Sequence, residues 1–297
     1  MPSIDENIKE WNDDYDWHLD GELWSKAWGG SAAQWYGCIY PRVRRFLPAS
    51  VILEIAPGFG RWTEFLLPHC DTLIGIDVSP KCIEACRRRF ADHRSARFES
   101  NDGRSISMVA DSSIDLAFSF DSLVHVEAEV IADYLGELAR VLKPDGIAFL
   151  HHSNYGAYER SSRALAPIQP AFRQLPSRIQ GGLGRAGIFR ERGNGWRASS
   201  VSAARFAGLC DDAGMSCIGQ ELINWAGGAL LLDCISVVTP AQSRWDRSNC
   251  VVKNWLFRAE ARSVRRSLSA YEHASSPLGA PHHQATWAGE PDRSGRN

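Results

Sequence analysis

No apolar run in this chain approaches the roughly 20 residues needed to cross a bilayer. Its polar opening, Met1 to Glu10, lacks the pattern of a secretion signal. These two absences predict a soluble, cytoplasmic protein that does not engage a membrane. Net charge is also missing: 33 basic against 35 acidic residues leave −2 over 297 positions. Nothing in that balance draws the chain to nucleic acid. Two short basic runs, Arg42 to Arg45 and Arg87 to Arg89, fall in amphipathic stretches and read as solvated helix faces. Eight cysteines are scattered without a disulfide framework. Cys82 and Cys86 lie one helical turn apart, but no second pair matches them, so they read as packing residues. No internal repeat is present.

What the chain does contain is enough apolar residue, 44%, for one packed domain of about 240 residues with appendages. The most informative stretch is Glu54-Ile-Ala-Pro-Gly-Phe-Gly-Arg-Trp62. It follows the apolar run Val51-Ile52-Leu53 and leads into the amphipathic run Thr63 to Leu67, which predicts strand, glycine turn and helix. Gly58 and Gly60 allow a ligand to approach the main chain, and the turn aims free helix N–H groups at it. A dinucleotide fingerprint would need a third glycine where Thr63 stands. Instead Glu54 precedes the first glycine by four positions.

Further pieces follow in order. Leu73 to Asp77 reads as a second buried strand ending in an acid, 17 residues beyond Gly60. Ser79 and Pro80 begin the next helix as cap and first-turn proline. Ala96 to Ser100 reads as a third strand before Asn101-Asp102-Gly103, and Ser113 to Ser122 carries a fourth. Val130 to Leu142 has apolar residues at helical spacing, Lys143-Pro-Asp-Gly146 makes a turn, and Ile147 to Leu150 is a fifth strand.

The Glu-x-x-Pro-Gly-x-Gly turn, with these pieces over residues 51 to 152, resembles the class I S-adenosylmethionine-dependent methyltransferases, and among them the bacterial sugar O-methyltransferases. The resemblance implies an α/β fold: a Rossmann-like seven-stranded sheet, mostly parallel, with an antiparallel edge hairpin and helices on both faces. It places Glu54, Ala56, Gly58, Gly60, Trp62, Asp77, Val78, Asp102, Gly103, Ser119 and Phe120 around the donor. Asp77 would take the ribose hydroxyls and Asp102 the adenine amino group. Asp115 resembles the family's acid at the start of strand four.

The donor is already reactive; a hydroxyl acceptor also needs a base. His125 follows strand four, and the resemblance supports it as that base. Asp121 would orient it or help hold a divalent cation, and Mg2+ needs few protein ligands. His152, with Asn154, would contact or orient the acceptor at the end of strand five. His151 and His152, as strand neighbours, face opposite ways. Of eleven tryptophans, five fall before residue 50: Trp11, Trp17, Trp24, Trp28 and Trp35. They either present indole faces to a sugar or anchor N-terminal helices on the core.

The expected organisation is an N-terminal helical cap (1–50), a methyltransferase domain (51–240) with a cover insertion (153–198) rich in glycine and arginine, a C-terminal helix (241–273) and a disordered tail (274–297). The helix Ala33 to Leu47 should kink or restart at Pro41. The expected activity is methylation of a hydroxyl on a sugar or glycoside in bacterial polysaccharide or natural-product biosynthesis, with a small-molecule or oligosaccharide acceptor. Methylation of an amino sugar or other amine stays open, as do a non-catalytic donor-binding subunit and a homo-oligomer.

Overall fold

The computed structural model describes residues 3–159, 179, 196–225 and 230–269. Most of the expected cover insertion and all of the expected tail lie outside the described residues. The strands are β1 (Ala49–Ile55), β2 (Cys70–Asp77), β3 (Ala96–Ser100), β4 (Ile114–Leu123), β5 (Leu142–Ser153), β6 (Met215–Ile223), β7 (Asp233–Pro240) and β8 (Cys250–Asn254). They form one sheet in the order β3-β2-β1-β4-β5-β7-β6-β8. Only β7 runs against its neighbours, pairing antiparallel with β5 and β6; β6 and β8 are parallel. The fold is the expected Rossmann-like one, with two differences in detail. The sheet has eight strands rather than seven, and the antiparallel pair lies inside the edge, covered by β8.

Strand β8 takes up part of the C-terminal helix expected over 241–273. The β-branched pair Val251-Val252 favours extended backbone, and the free edge of β6 supplies the ladder. Asn254 Oδ1 accepts the Leu256 N–H and turns the chain. The helix then occupies Phe257–Ser269.

The central strands are largely apolar because both faces are covered. Leu53, Ile55, Ile74 and Ile76 point to the side packed by helices Ala128–Val141 and Ala203–Asp212. Ile52, Leu73, Phe118 and Phe149 point to the other, where Trp28, Trp35 and the helix Pro80–Arg89 pack. Ser79 caps that last helix, with Pro80 in its first turn. The segment before β1 is a chain of short helical pieces. Between Ser31 and Phe46 it passes through a π-turn, Trp35–Ile39, immediately before Pro41. There the Tyr40 N–H reaches back five residues to the Trp35 carbonyl, the adjustment expected where proline removes a helix donor.

Asp115 sits at the beginning of β4, away from the strand ends that bind ligands. It accepts the Val51 N–H at 2.9 Å and pairs with Lys143 at 2.7 Å. Its geometry ties β1, β4 and β5 together.

Candidate active site

Strand order reverses between β1 and β4, and a crevice opens there at the carboxyl ends of the strands. It holds a cavity of about 660 Å³, a size suited to a cofactor-scale ligand. One wall is the glycine turn. Ala56 and Gly58 have left-handed φ of 57° and 59°, and both line the cavity with Trp62. Asp77, at the tip of β2, accepts N–H bonds from Gly58 at 3.1 Å and Ser79 at 2.9 Å. Burial pushes its carboxyl up to about 6, against the pull of those two donors. Val78, Asp102 and Gly103 continue the wall. Asp102 is held below the ordinary carboxylate range by the Ser105 and Arg104 N–H groups, which its Oδ1 accepts. Its other oxygen has no bond among the described residues.

Three residues expected around the donor stand behind the wall rather than on it. Glu54 is 1% exposed and accepts the Thr63 hydroxyl at 2.5 Å; its Oε1 has no partner among the described residues. Gly60, at φ 82°, is required by packing: a Cβ there would lie 2.4 Å from the Phe90 ring. Ser119 is fully buried within β4. The strand's alternation sends its neighbour Phe120 to the cavity instead.

The roof is the N-terminal segment. The helix Ile4–Lys9 starts with a capping box between Ser3 and Glu6 and lays Ile4 against Gly103, which Val78 also flanks. Trp11, Trp17 and Trp24 line the cavity and pack with Tyr15 into a tetrad whose ring centroids are 4.9–6.2 Å apart. Trp17 also lies flat on Phe59 at 4.4 Å. Trp28 and Trp35 are buried in the core. The tryptophans thus divide, three on the cavity and two anchoring the helices.

His125 lines the cavity under Trp11, with ring centroids 5.5 Å apart. Its Nδ1 lies 3.0 Å from the Trp196 carbonyl. A carbonyl only accepts, so Nδ1 carries the proton and Nε2 presents a lone pair. Nε2 has no partner among the described residues. Burial, followed by the Arg197 charge, keeps the ring's pKa below its ordinary value despite the Trp196 carbonyl. His125 is therefore neutral at pH 7 and able to accept a proton.

Asp121 also lines the cavity but does not orient His125. It pairs with Arg61 at 2.6 Å and lies 3.4 Å from His151 Nδ1. Burial pushes its carboxyl up, and Arg61 with His151 outweighs that and holds it below its ordinary range. Its φ of 69° is unusual for aspartate. His152 is a correction to the expected acceptor contact. It is fully buried, stacked on Phe206 at 3.9 Å and bonded to Ser236 at 2.8 Å. Burial lowers its pKa to about 3, so it is a neutral packing group. Asn154 is likewise committed, to the Leu231 carbonyl and the Ala203 N–H.

Arg61 had drawn no role in the sequence. It is 6% exposed, lies over the Trp62 ring at 4.3 Å and also bonds Ser25. Its only sequence signal is its place directly after the glycine turn. Among the described residues no three His, Cys, Asp or Glu side chains are grouped to hold a metal ion. Among them, too, no helix is long and apolar enough to cross a membrane.

Residues 52–146 match the family model described as a methyltransferase domain. The chain is 26% identical over 132 residues to phosphoethanolamine N-methyltransferase 1 of Triticum aestivum, a match covering 43% of this chain and 26% of that protein. It thus spans about a quarter of that curated relative. Among solved structures, the N-methyltransferase NodS of Bradyrhizobium japonicum WM9, in complex with S-adenosyl-L-homocysteine, superposes with a TM-score of 0.50 and 15% identity. It covers 82% of this chain and 100% of its own. A protein from Pyrococcus horikoshii OT3 gives 0.48 and 19%, over 78% and 95%. Residues 52–146 thus match a methyltransferase domain, set on a sheet of Rossmann-like strand order.

Proposed function

We propose that the protein transfers a methyl group from S-adenosylmethionine to a hydroxyl of a small acceptor, a sugar or glycoside, held under the tryptophan roof. The observation that carries this reading is the state of His125. It is a neutral imidazole with its free nitrogen available, in the same cavity as Asp77, Asp102 and the glycine turn. Asp77 would receive the ribose and Asp102, beside Gly103, the adenine edge. The donor supplies a methyl group bound to a cationic sulfur. His125 takes the acceptor's proton, which a hydroxyl needs far more than an amine does. The indole faces of Trp11, Trp17 and Trp24 suit the C–H faces of a sugar ring.

A second reading, methylation of an amine, is favoured by the charge of the cavity wall. Asp5, Asp20, Asp77, Asp102, Asp121, Glu127 and Glu129 line it against Arg61 and Arg104. Such a wall attracts a cation.

Incubation with labelled donor and a panel of glycosides, amino sugars and simple amines, read by mass spectrometry for one added methyl group, decides between them. His125→Ala should bind S-adenosylhomocysteine with unchanged affinity by calorimetry and lose turnover on a hydroxyl acceptor by about 10²-fold or more. Full turnover in that variant removes His125 from the chemistry. A chain that binds neither the donor nor its demethylated product ends the reading altogether.

A further inference from the structure

His125 owes its competence as a base to one backbone carbonyl, that of Trp196. Which imidazole nitrogen carries the proton is set by the bond the other makes. Whatever holds the Trp196 peptide in place therefore decides whether Nε2 is a lone pair or an N–H.

That peptide is tied unusually tightly for a segment outside the sheet. Arg197, the next residue, grips Asp233 with both arms of its guanidinium: Nε to Oδ1 at 2.5 Å and Nη2 to Oδ2 at 2.7 Å. Asp233 is fully buried and Arg197 nearly so. Asp233 begins β7 and sits opposite Ser153 in the antiparallel β5–β7 ladder, so it belongs to the rigid frame. Ala198 donates to the Val124 carbonyl at 2.9 Å, and Ser153 Oγ donates to the Ala198 carbonyl at 2.7 Å. Trp196 itself is held at φ 62°, a left-handed conformation that a bulky residue keeps only where its surroundings over-determine it.

We infer that Arg197 and Asp233 form a positioning pair for the base: by locking the Trp196 backbone against the sheet, they keep its carbonyl on His125 Nδ1 and so leave Nε2 free to receive the acceptor's proton. The inference rests on the reading of His125 as base. The planar fork matters, because it fixes orientation at two points where a lysine would fix one. The charged groups facing His125 are Arg197, Asp233 and Asp121. Glu127, two residues on, is bonded to Ser200; from the roof, neutral Trp11 and Asn7 touch this loop and Asp5 lines the same cavity. Arg197→Lys keeps the charge at the site while loosening the grip, which separates geometry from electrostatics.

The test is ¹⁵N NMR of the imidazole of His125 in the full chain, assigned by its loss in His125→Ala. The wild type should show the proton on Nδ1. Arg197→Lys and Asp233→Asn should show a mixture with Nε2 protonated, while S-adenosylhomocysteine affinity by calorimetry stays within about twofold. On an acceptor found by the mass-spectrometric screen, both should lose at least tenfold in turnover at unchanged donor KM, within the roughly 10²–10⁴ contributed by a general base. A wild-type spectrum with the proton on Nε2 overturns the inference even if neither variant folds. So does a variant with an unaltered tautomer. If the tautomer shifts as stated but His125→Ala still turns over, the positioning pair stands and the base assignment falls.

Discussion

Removing the charge from Glu54 should make the protein more stable in alkali and leave it nearly unchanged in mild acid. Glu54 is 1% exposed, and its Oε1 has no partner among the described residues. Burial pushes its carboxyl from 4.5 up to about 7, more than the Thr63 hydroxyl pulls it down; nearby Asp77 adds to the rise and Arg89 and Arg61 oppose it. Between those two values the folded chain keeps a proton that the unfolded chain has lost. Stability therefore falls as pH rises through this window. The full loss is about 3 kcal/mol, at about 1.4 kcal/mol for each tenfold change in the ionisation constant. Glu54→Gln retains an oxygen for Thr63 and never ionises. Urea unfolding without ligand should give similar stabilities for the two proteins at pH 5. At pH 8 the variant should be ahead by about 2–3 kcal/mol. Asp77, also raised by burial, contributes its own decline to both chains, so the difference isolates Glu54. Parallel pH profiles for wild type and Glu54→Gln would refute the reasoning.

Gly60→Ala should lower stability by about 2 kcal/mol or more, because it combines φ 82° with a Cβ 2.4 Å from Phe90; adding Phe90→Leu should restore part of the melting temperature, and no recovery would rule out the clash. Trp11→Ala, which removes a ring against His125 and the roof, should cut kcat/KM for the acceptor by about tenfold, the scale of one aromatic contact. Calorimetry with S-adenosylhomocysteine checks its selectivity, since an equal loss of donor affinity would make Trp11 a support of the whole roof.

The central sheet was legible because its strands are buried on both faces, so Val51 to Leu53 and Leu73 to Ile76 read as apolar runs. Asp77 followed from its place at a strand tip. The errors came where one residue type serves two purposes. Gly58 meets the cavity and Gly60 meets Phe90, and both are simply glycine in the sequence. His151 and His152 differ only in strand parity, and a bulge between Ser119 and Leu123 shifts the register beside them. The result puts His151 against Asp121 and His152 against Phe206. Strand β8 was hidden because Val251 and Val252 are about half exposed and abut a region whose apolar spacing reads as helix. Arg61 could not be found by pattern, since its partners Ser25 and Asp121 come from two distant parts of the chain.

Those partners explain how the roof and the floor of the cavity become one structure. Three polar ties from the roof, residues 3–25, reach the wall of the cavity. Asn7 donates to the His125 carbonyl at 3.2 Å. Asn12 meets Ser79, whose N–H Asp77 accepts. Ser25 accepts from Arg61 at 2.9 Å, and the same guanidinium holds Asp121. Breaking the buried Arg61–Asp121 pair from one side would leave a charge uncompensated, at a cost of about 3–5 kcal/mol. Among the described residues lifting the roof breaks no ion pair: it gives up the Ser25 bond, worth about 1.5–3 kcal/mol to a charged donor, the Asn7 and Asn12 bonds and ring contacts. The floor is therefore the fixed part and the roof the separable one. A ligand beneath Trp11, Trp17 and Trp24 would be covered by elements already bonded to the His125 loop, to Ser79 beside Asp77 and to Arg61 after the glycine turn.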